Sequence, residues 1–265
     1  MIGRFTEKEL IRAIETTYYE AITDLCTGAP GIFLRREPDM TIYSTGLPMA
    51  LLNGVLGPKF NASNLSKRAE VAMSHFKDAR LPMRWVLGPS STPPELDGFL
   101  LRQGLVSELT TPGMAIDLRT VNRGPLPSGL EIRPVEDMES LKNCSDISAE
   151  VFEVPEHIRG SWGDLIRSYG ISPTRRWFLG HLDGRPVSTS LLVLHGDVAG
   201  IYMVATLKEA RGKGVGSAMT HEPLLPAKDA GYDVAVLEAS ELGLPVYERL
   251  GFRKLCEFRT FTWSP

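Results

Sequence analysis

The chain has 265 residues, 43% of them hydrophobic, and its 29 Lys and Arg against 32 Asp and Glu leave a net charge of −3. That length can bury a substantial core and suffices for two modest domains, while a mildly acidic balance without a basic run argues against a nucleic-acid partner. No apolar stretch approaches the ~18 residues of a spanning helix and the opening M-I-G-R-F-T-E-K-E-L lacks a signal-peptide core, so no membrane association and a cytoplasmic location are expected.

In chain order, Thr6 to Leu25 predicts an amphipathic helix with Thr6 as N-cap and Glu9 at the third position, a capping box. Asn53-Gly54, after the apolar Met49 to Leu52, predicts a tight turn, with a polar contact to a substrate as its functional alternative. Trp85 to Leu87 reads as an apolar strand ending in Gly88-Pro89-Ser90, followed by a proline-led helix over Leu96 to Gln103 that Gly104-Leu105 closes. The stretch Arg119 to Gly129, R-T-V-N-R-G-P-L-P-S-G, breaks both periodicities and predicts a linker between a domain at 1–120 and another at 129–265. Beyond it, Leu130 to Val135 alternates as a strand, and Asp137 to Phe152 reads as a helix with Met138, Leu141 and Ile147 on its apolar face. Trp177 to Leu182 and Val187 to Leu194 flank Asp183-Gly184, a hairpin signal, and His195-Gly196-Asp197 turns the chain into Val198 to Val204.

The segment Val204 to Gly216, V-A-T-L-K-E-A-R-G-K-G-V-G, then places glycines where a strand hands over to a helix. Without Cβ atoms at Gly212, Gly214 and Gly216, the amides of the loop and of the first helical turn can approach an oxyanion. A P-loop is excluded, because Leu207 and Gly214 stand where that motif needs glycine and Ser or Thr. The dinucleotide fingerprint fits poorly, since the run is G-x-G-x-G, although Glu238 ends the next apolar run as a ribose-binding acid would. A loop that only caps its helix is the third reading. Pro223 and Pro226 should break the helix near His221, and a second segment from about Glu222 would carry both prolines in its first turn. Val234 to Leu237 then runs into Glu238-Ala239-Ser240, and a short helix from Pro245 to Leu250 closes at Gly251.

Arg211-x-x-Gly214-x-Gly216, followed about thirty residues on by Tyr247-Glu248-Arg249-Leu250-Gly251-Phe252, resembles the signature of the GCN5-related N-acetyltransferases (GNAT). In that family the pattern is R/Q-x-x-G-x-G/A and then Y-x-x-x-G-F. The resemblance implies an α/β fold of α+β type, a mixed, mostly antiparallel sheet flanked by helices. It implies acetyl-coenzyme A as cosubstrate, its pyrophosphate held at Arg211, Gly212, Lys213, Gly214, Val215, Gly216 and Ser217. The pantetheine arm would pair with the strand end at Val204, Ala205 and Thr206, whose amides would also meet charge developing on the thioester oxygen. Tyr247 would protonate the departing thiolate, a task suited to a phenol whose ordinary pKa is about 10. Ser240 stands where the family often has Asn, so its contact to the cofactor arm rests on one hydroxyl.

The first half echoes the second: strand, small-residue turn, proline-led helix, then Gly and a hydrophobe. At the place of its glycine loop stands Gly57-Pro58-Lys59-Phe60-Asn61-Ala62-Ser63-Asn64, with one glycine and a proline that has no N–H. Two tandem GNAT-like domains, the first degenerate, are therefore expected. The acceptor is expected to be a primary amine of a small molecule or peptide. Deprotonating it calls for a base, and Glu150, Glu153, Glu156 and His157 are candidates, with Trp162 and Trp177 as pocket linings or core. The three cysteines, Cys26, Cys144 and Cys256, show no metal or disulfide spacing and are expected to be reduced and buried, with no metal bound. A homodimer is compatible with the chain. The alternatives are a non-catalytic acyl-coenzyme A-binding regulator and an NAD-linked oxidoreductase.

Overall fold

The structure, a computed structural model, describes residues 2–108 and 110–265. Its elements begin with α1 (Glu7–Cys26), β1 (Phe33–Glu37), β2 (Met40–Ser44), β3 (Asn53–Leu56), α2 (Leu65–Asp78), β4 (Met83–Leu87), α3 (Leu96–Arg102), β5 (Val106–Ser107) and β6 (Thr111–Asp117). They continue with β7 (Leu130–Pro134), α4 (Met138–Val151), α5 (Arg159–Tyr169), β8 (Arg175–Leu182), β9 (Arg185–His195), β10 (Val198–Thr206), α6 (Val215–His221), α7 (Leu224–Asp229), β11 (Val234–Glu238), α8 (Leu244–Leu250) and β12 (Arg253–Trp263). No helix among the described residues is long and apolar enough to cross a membrane.

Contacts divide the chain into two compact units, Met1–Ala21 with Pro112–Leu255, and Ile22–Thr111 with Cys256–Pro265. In the first, which contains the glycine loop, the strand order is β6-β11-β10-β9-β8-β7. Among the described residues only the β10–β11 pair is parallel. In the second, the order is β1-β2-β3-β4-β12 and, among the described residues, only β3–β4 is parallel. Each unit is thus a mixed, mostly antiparallel α/β sheet. Both follow one plan: an antiparallel meander, a helical crossover to a parallel strand, a short helix, and a closing antiparallel strand. The closing strands are exchanged in sequence, since β6, which follows α3, pairs β11, and β12, which follows α8, pairs β4. A single cut in the linker at 119–129 therefore does not reproduce the contact units at either end of the chain.

Local chemistry explains most boundaries. Thr6 and Glu9 form the reciprocal capping box, with Glu9 Oε2 accepting from the Thr6 amide at 2.8 Å and Thr6 Oγ1 from the Glu9 amide at 3.3 Å. Asp137 caps α4 by accepting from the Ser140 amide at 2.7 Å. Between β8 and β9, Asp183 (φ 50°) and Gly184 (φ 78°) supply the two left-handed residues of a primed hairpin turn. α6 stops at His221, and α7 carries Pro226 in its first turn, where a missing N–H costs little.

Asn53-Gly54 is not a tight turn, contrary to expectation. Both residues are buried at the start of β3, where Asn53 Oδ1 accepts from Ser44 Oγ and the Thr45 amide, and Nδ2 donates to the Leu47 and Met49 carbonyls. Tertiary satisfaction of the 45–49 loop overrides the dipeptide's turn preference, and it leaves Asn53 no role toward a substrate. Met114, Ile116, Phe178, Leu192, Ile201, Met219 and Leu237 dominate the core of the glycine-loop unit. Met73, Phe76, Trp85 and Phe261 dominate that of the other.

Candidate active site

The glycine-loop unit opens where β10 and β11 part. Their parallel ladder consists of Ala199↔Ala235 and Gly200↔Val236, after which the β11-facing edge of β10 has no registered partner through Thr206. A bulge drives the parting: the register with β9 shifts between Tyr202 and Ala205, and Met203 adopts φ 51°. The far end of β10 is pinned from the other side, since Ser188 Oγ donates to the Ala205 carbonyl at 2.6 Å and meets Thr206 Oγ1 at 2.8 Å. Val204 is half-buried and Ala205 buried.

From Thr206 the chain passes through a 3-10 turn (Lys208–Ala210) into the glycine loop. Arg211 lies over this connection, donating from Nε to the Thr206 carbonyl at 3.0 Å, so it braces the loop. Gly212 (φ 75°) and Gly214 (φ 79°) hold left-handed backbone that a side chain would strain, whereas Gly216 is helical. Val215 is buried under the loop and anchors the first turn of α6. Among the described residues, none accepts a hydrogen bond from the amides of Gly212, Lys213, Gly214, Val215, Gly216 or Ser217. Six consecutive donors are thus left unspent at a helix start. A cleft of about 510 Å³ runs beside them, lined by Lys213, Gly214, Ser217 and Leu250 and, on its far wall, by Gly124 to Pro127 of the linker. The linker's part in that wall was invisible in the sequence, where its composition marks only a break in periodicity.

Tyr247 stands on α8, 8% exposed, its ring folded over Gly243, where an added Cβ would lie 2.7 Å from Cε2. Burial pushes the phenol up to about 12; the Thr220 hydroxyl opposes that shift and the charge of Glu238 adds to it. The hydroxyl is therefore protonated at neutral pH and available as a donor. Ser240 is exposed, and its Oγ accepts from the Gly243 amide at 3.1 Å, so its hydroxyl also starts the α8 turn. Glu238, which ends β11, has both carboxylate oxygens buried without a hydrogen-bond partner, as does the Tyr202 hydroxyl. The sequence signal for Glu238 was a carboxylate closing an apolar run; for Tyr202 there was none.

Glu150 lines a pocket together with Leu207, the residue that follows β10. Glu150, Glu153, Glu156 and His157 are all exposed, and Glu156 pairs with Arg159 at 3.2 Å. Trp162 and Trp177 are core, their indole N–H groups donating to Ser148 Oγ at 3.0 Å and the Gly170 carbonyl at 3.1 Å. Cys26 and Cys144 are free and buried, with thiols pushed up to about 12 by burial, while Cys256 is half-exposed.

Residues 186–255 match the family model described as an acetyltransferase (GNAT) domain. The GNAT match spans β9 to the start of β12 and so takes in the open edge of β10, the glycine loop, Glu238, Ser240 and Tyr247. It sets the enzyme class as N-acetyl transfer. Solved structures share the fold over nearly the whole chain. A GCN5-related N-acetyltransferase from Kribbella flavida is 16% identical, with 95% of each chain covered and a TM-score of 0.72. Another from Sphaerobacter thermophilus is 18% identical, with 85% of this chain and 80% of that one covered and a TM-score of 0.65. A tandem GNAT protein from the clavulanic acid biosynthesis pathway is 14% identical, with 91% and 87% covered and a TM-score of 0.60. At these identities the likeness concerns the fold.

Proposed function

We propose that the protein transfers the acetyl group of acetyl-coenzyme A directly to a primary amine of a small molecule or peptide, with no covalent enzyme intermediate. The observation that carries this reading is the run of six unpartnered amides from Gly212 to Ser217 beside the open edge of β10. Such donors suit a pyrophosphate, and an unpaired strand edge suits the amides of a pantetheine arm, which would add to it as another strand would. Lys213 would supply charge at the phosphates, Arg211 would keep the loop attached to the strand end, and Ser240 would stand at the arm's far side. A backbone amide of Val204 to Thr206 would meet the developing oxyanion, and Tyr247 would give its proton to the thiolate.

One functional cofactor site per chain is part of the proposal. In the other unit, the segment corresponding to the glycine loop spends its amides internally. Those of Gly57, Lys59 and Phe60 donate to the carbonyls of Val86, Asp39 and Thr92, that of Asn61 to Asn64 Oδ1, and Pro58 has none to give. A loop with most of its donors consumed, only those of Ala62 and Ser63 having no acceptor among the described residues, is a poorer anion cradle than the glycine loop, which supports a degenerate first domain.

Calorimetric titration with acetyl-coenzyme A, run beside NADH, tests the reading. Saturable binding at about one per chain is expected, weakened at least tenfold by Ser217→Glu, which sets a carboxylate against the phosphates without straining helical backbone. Gly214→Glu should do the same, with added strain from its left-handed φ and from Pro127 Cγ 3.2 Å from the new Cβ. Absence of binding to the unaltered protein, or NADH binding in its place, would overturn the proposal. A stoichiometry near two would overturn the degenerate-domain part alone.

A further inference from the structure

The place where β10 leaves β11 holds an acid that the cofactor reading does not use. Their ladder runs at a constant offset of 36 residues, 199 with 235 and 200 with 236, and continuing it brings Tyr202 level with Glu238. Both side chains lie on one face of the sheet. Ile201, Leu237 and Ala239 alternate with them and join the core beneath α6, α7 and α8, so Tyr202 and Glu238 face away from it. The cross-strand partner of Glu238 on β6 is Gly113, which brings no side chain. Next to Tyr202, Gly200 leaves the ring its space; a Cβ there would lie 2.3 Å from Cε2 and 2.9 Å from Oη. Gly113 opposite and Gly200 alongside therefore bring no polar side chain to the carboxylate and the phenol.

Among the described residues, no side chain pairs with either group. Both Glu238 oxygens and the Tyr202 hydroxyl have no contact with solvent and no hydrogen-bond partner among the described residues. The Arg175 guanidinium stacks on the Tyr169 ring, 4.6 Å from its centroid, and the neighbours of the pair are the phenols of Tyr18, Tyr169 and Tyr247. A buried carboxylate with no donor but its own backbone amide is costly and needs a reason for its place. An ammonium group supplies what is missing: one positive charge and three N–H donors for two carboxylate oxygens and one hydroxyl.

We propose that Glu238, assisted by Tyr202, binds the ammonium group of the acceptor and takes its proton. The inference rests on the acetyltransferase reading above and names the base that reading leaves open. Glu238 takes one proton from R–NH3+, the freed lone pair forms the N–C bond to the thioester carbonyl carbon, and the C–S bond breaks as the tetrahedral adduct collapses. The thiolate takes the Tyr247 proton, the second proton on nitrogen replaces it, and Glu238 returns its own proton to solvent when the amide departs. The sum is R–NH3+ and acetyl-coenzyme A giving R–NH–acetyl, coenzyme A thiol and one proton. Burial holds the Glu238 carboxyl well above the usual carboxylate range, which strengthens it as a base.

The test uses the full chain with butylamine, a primary amine with no other polar group. Acetyl-coenzyme A binding and thiol release are measured for the unaltered protein, Glu238→Gln and Tyr202→Phe across pH. Glu238→Gln should bind acetyl-coenzyme A unchanged and release thiol about 100-fold or more slowly near neutral pH, recovering as rising pH frees the amine in solution. Tyr202→Phe should act mainly through a higher KM for butylamine. The melting temperature of Glu238→Gln should equal or exceed that of the unaltered protein, because an unpartnered carboxylate is removed; a structural role would lower it. Thiol release unchanged in Glu238→Gln, or an unaltered protein that binds acetyl-coenzyme A and does not use butylamine, would overturn the inference while leaving the cofactor site standing. Failure to bind acetyl-coenzyme A would instead overturn the reading beneath it.

Discussion

Tyr247 and Glu238 are two ionisable groups that burial shifts strongly at the parting of β10 and β11. The effects are opposite in use. Tyr247, raised to about 12, keeps its proton throughout the neutral range, so its hydroxyl is present as a donor toward a departing thiolate. Tyr247→Phe should therefore lower kcat by about 100-fold or more while calorimetry finds acetyl-coenzyme A affinity unchanged, since the hydroxyl is not among the loop amides. An unaltered kcat would assign Tyr247 to packing against Phe252, whose ring centroid lies 6.1 Å away. Glu238 is raised in the folded state above its unfolded value of about 4.3, so the folded protein prefers it protonated. By linkage, the stability this preference contributes is complete below about pH 4.3 and is lost as pH rises through the raised folded value. The groups facing the Glu238 and Tyr202 pair from α1 and α5 are the phenols of Tyr18 and Tyr169, the Arg175 guanidinium lies over the Tyr169 ring, and the charge of Glu238 also reaches Tyr247 of α8. Urea titrations of the unaltered protein and Glu238→Gln should thus diverge as pH rises, the variant becoming relatively more stable; parallel curves would mean the carboxyl is ionised without penalty.

Elements in this protein are set as much by what glycine lets approach as by hydrophobic period. Gly54 in β3 is a close-approach position, where a Cβ would meet the Arg84 carbonyl oxygen of the paired β4 at 2.1 Å. Backbone cannot rotate aside, so Gly54→Ala should force the strands apart and cost about 3 kcal/mol in urea denaturation. A loss below about 0.5 kcal/mol, the range of an ordinary surface substitution, would contradict that geometry. The sequence read this glycine as a turn because Asn-Gly after an apolar run is the usual hairpin signal, and the dipeptide alone does not disclose that β4 needs the space. Where punctuation acts locally, the sequence was legible: the Asp183-Gly184 hairpin, the proline break after His221, the Gly251 stop and the glycine loop all stand where spacing put them. Glu238 and Tyr202 show the opposite case. Their isolation depends on the bulge at Met203 and on Gly113 across the ladder, which are properties of pairing that no single stretch of sequence contains.

At the scale of the whole molecule, the exchange of closing strands decides whether the halves are separable. A cut in the linker at 119–129 would leave β6 on the first fragment, although its partner β11 lies in the second, and β12 on the second fragment, although its partner β4 lies in the first. The losses are not marginal. Without β12, the unit of β1 to β4 loses five registered residues beside β4, the Phe261 side chain from its core, and the ion pair of Arg259 with Asp97. Without β6, the ladder of β11 loses Gly113 to Asp117, and Met114 and Ile116 leave the core that supports Tyr247 and the glycine loop. Burial of large apolar side chains is the main favourable term in folding, so exposing two or three of them, at about 1.5–3 kcal/mol each, removes much of a stability of about 5–15 kcal/mol. Fragments 1–120 and 129–265 expressed separately should accordingly show weak amide protection in β4 and β11 and no acetyl-coenzyme A binding, and co-expression should restore both. Full protection of β11 in the isolated second fragment would show that β6 is dispensable and that the linker is a true boundary between independently folding domains.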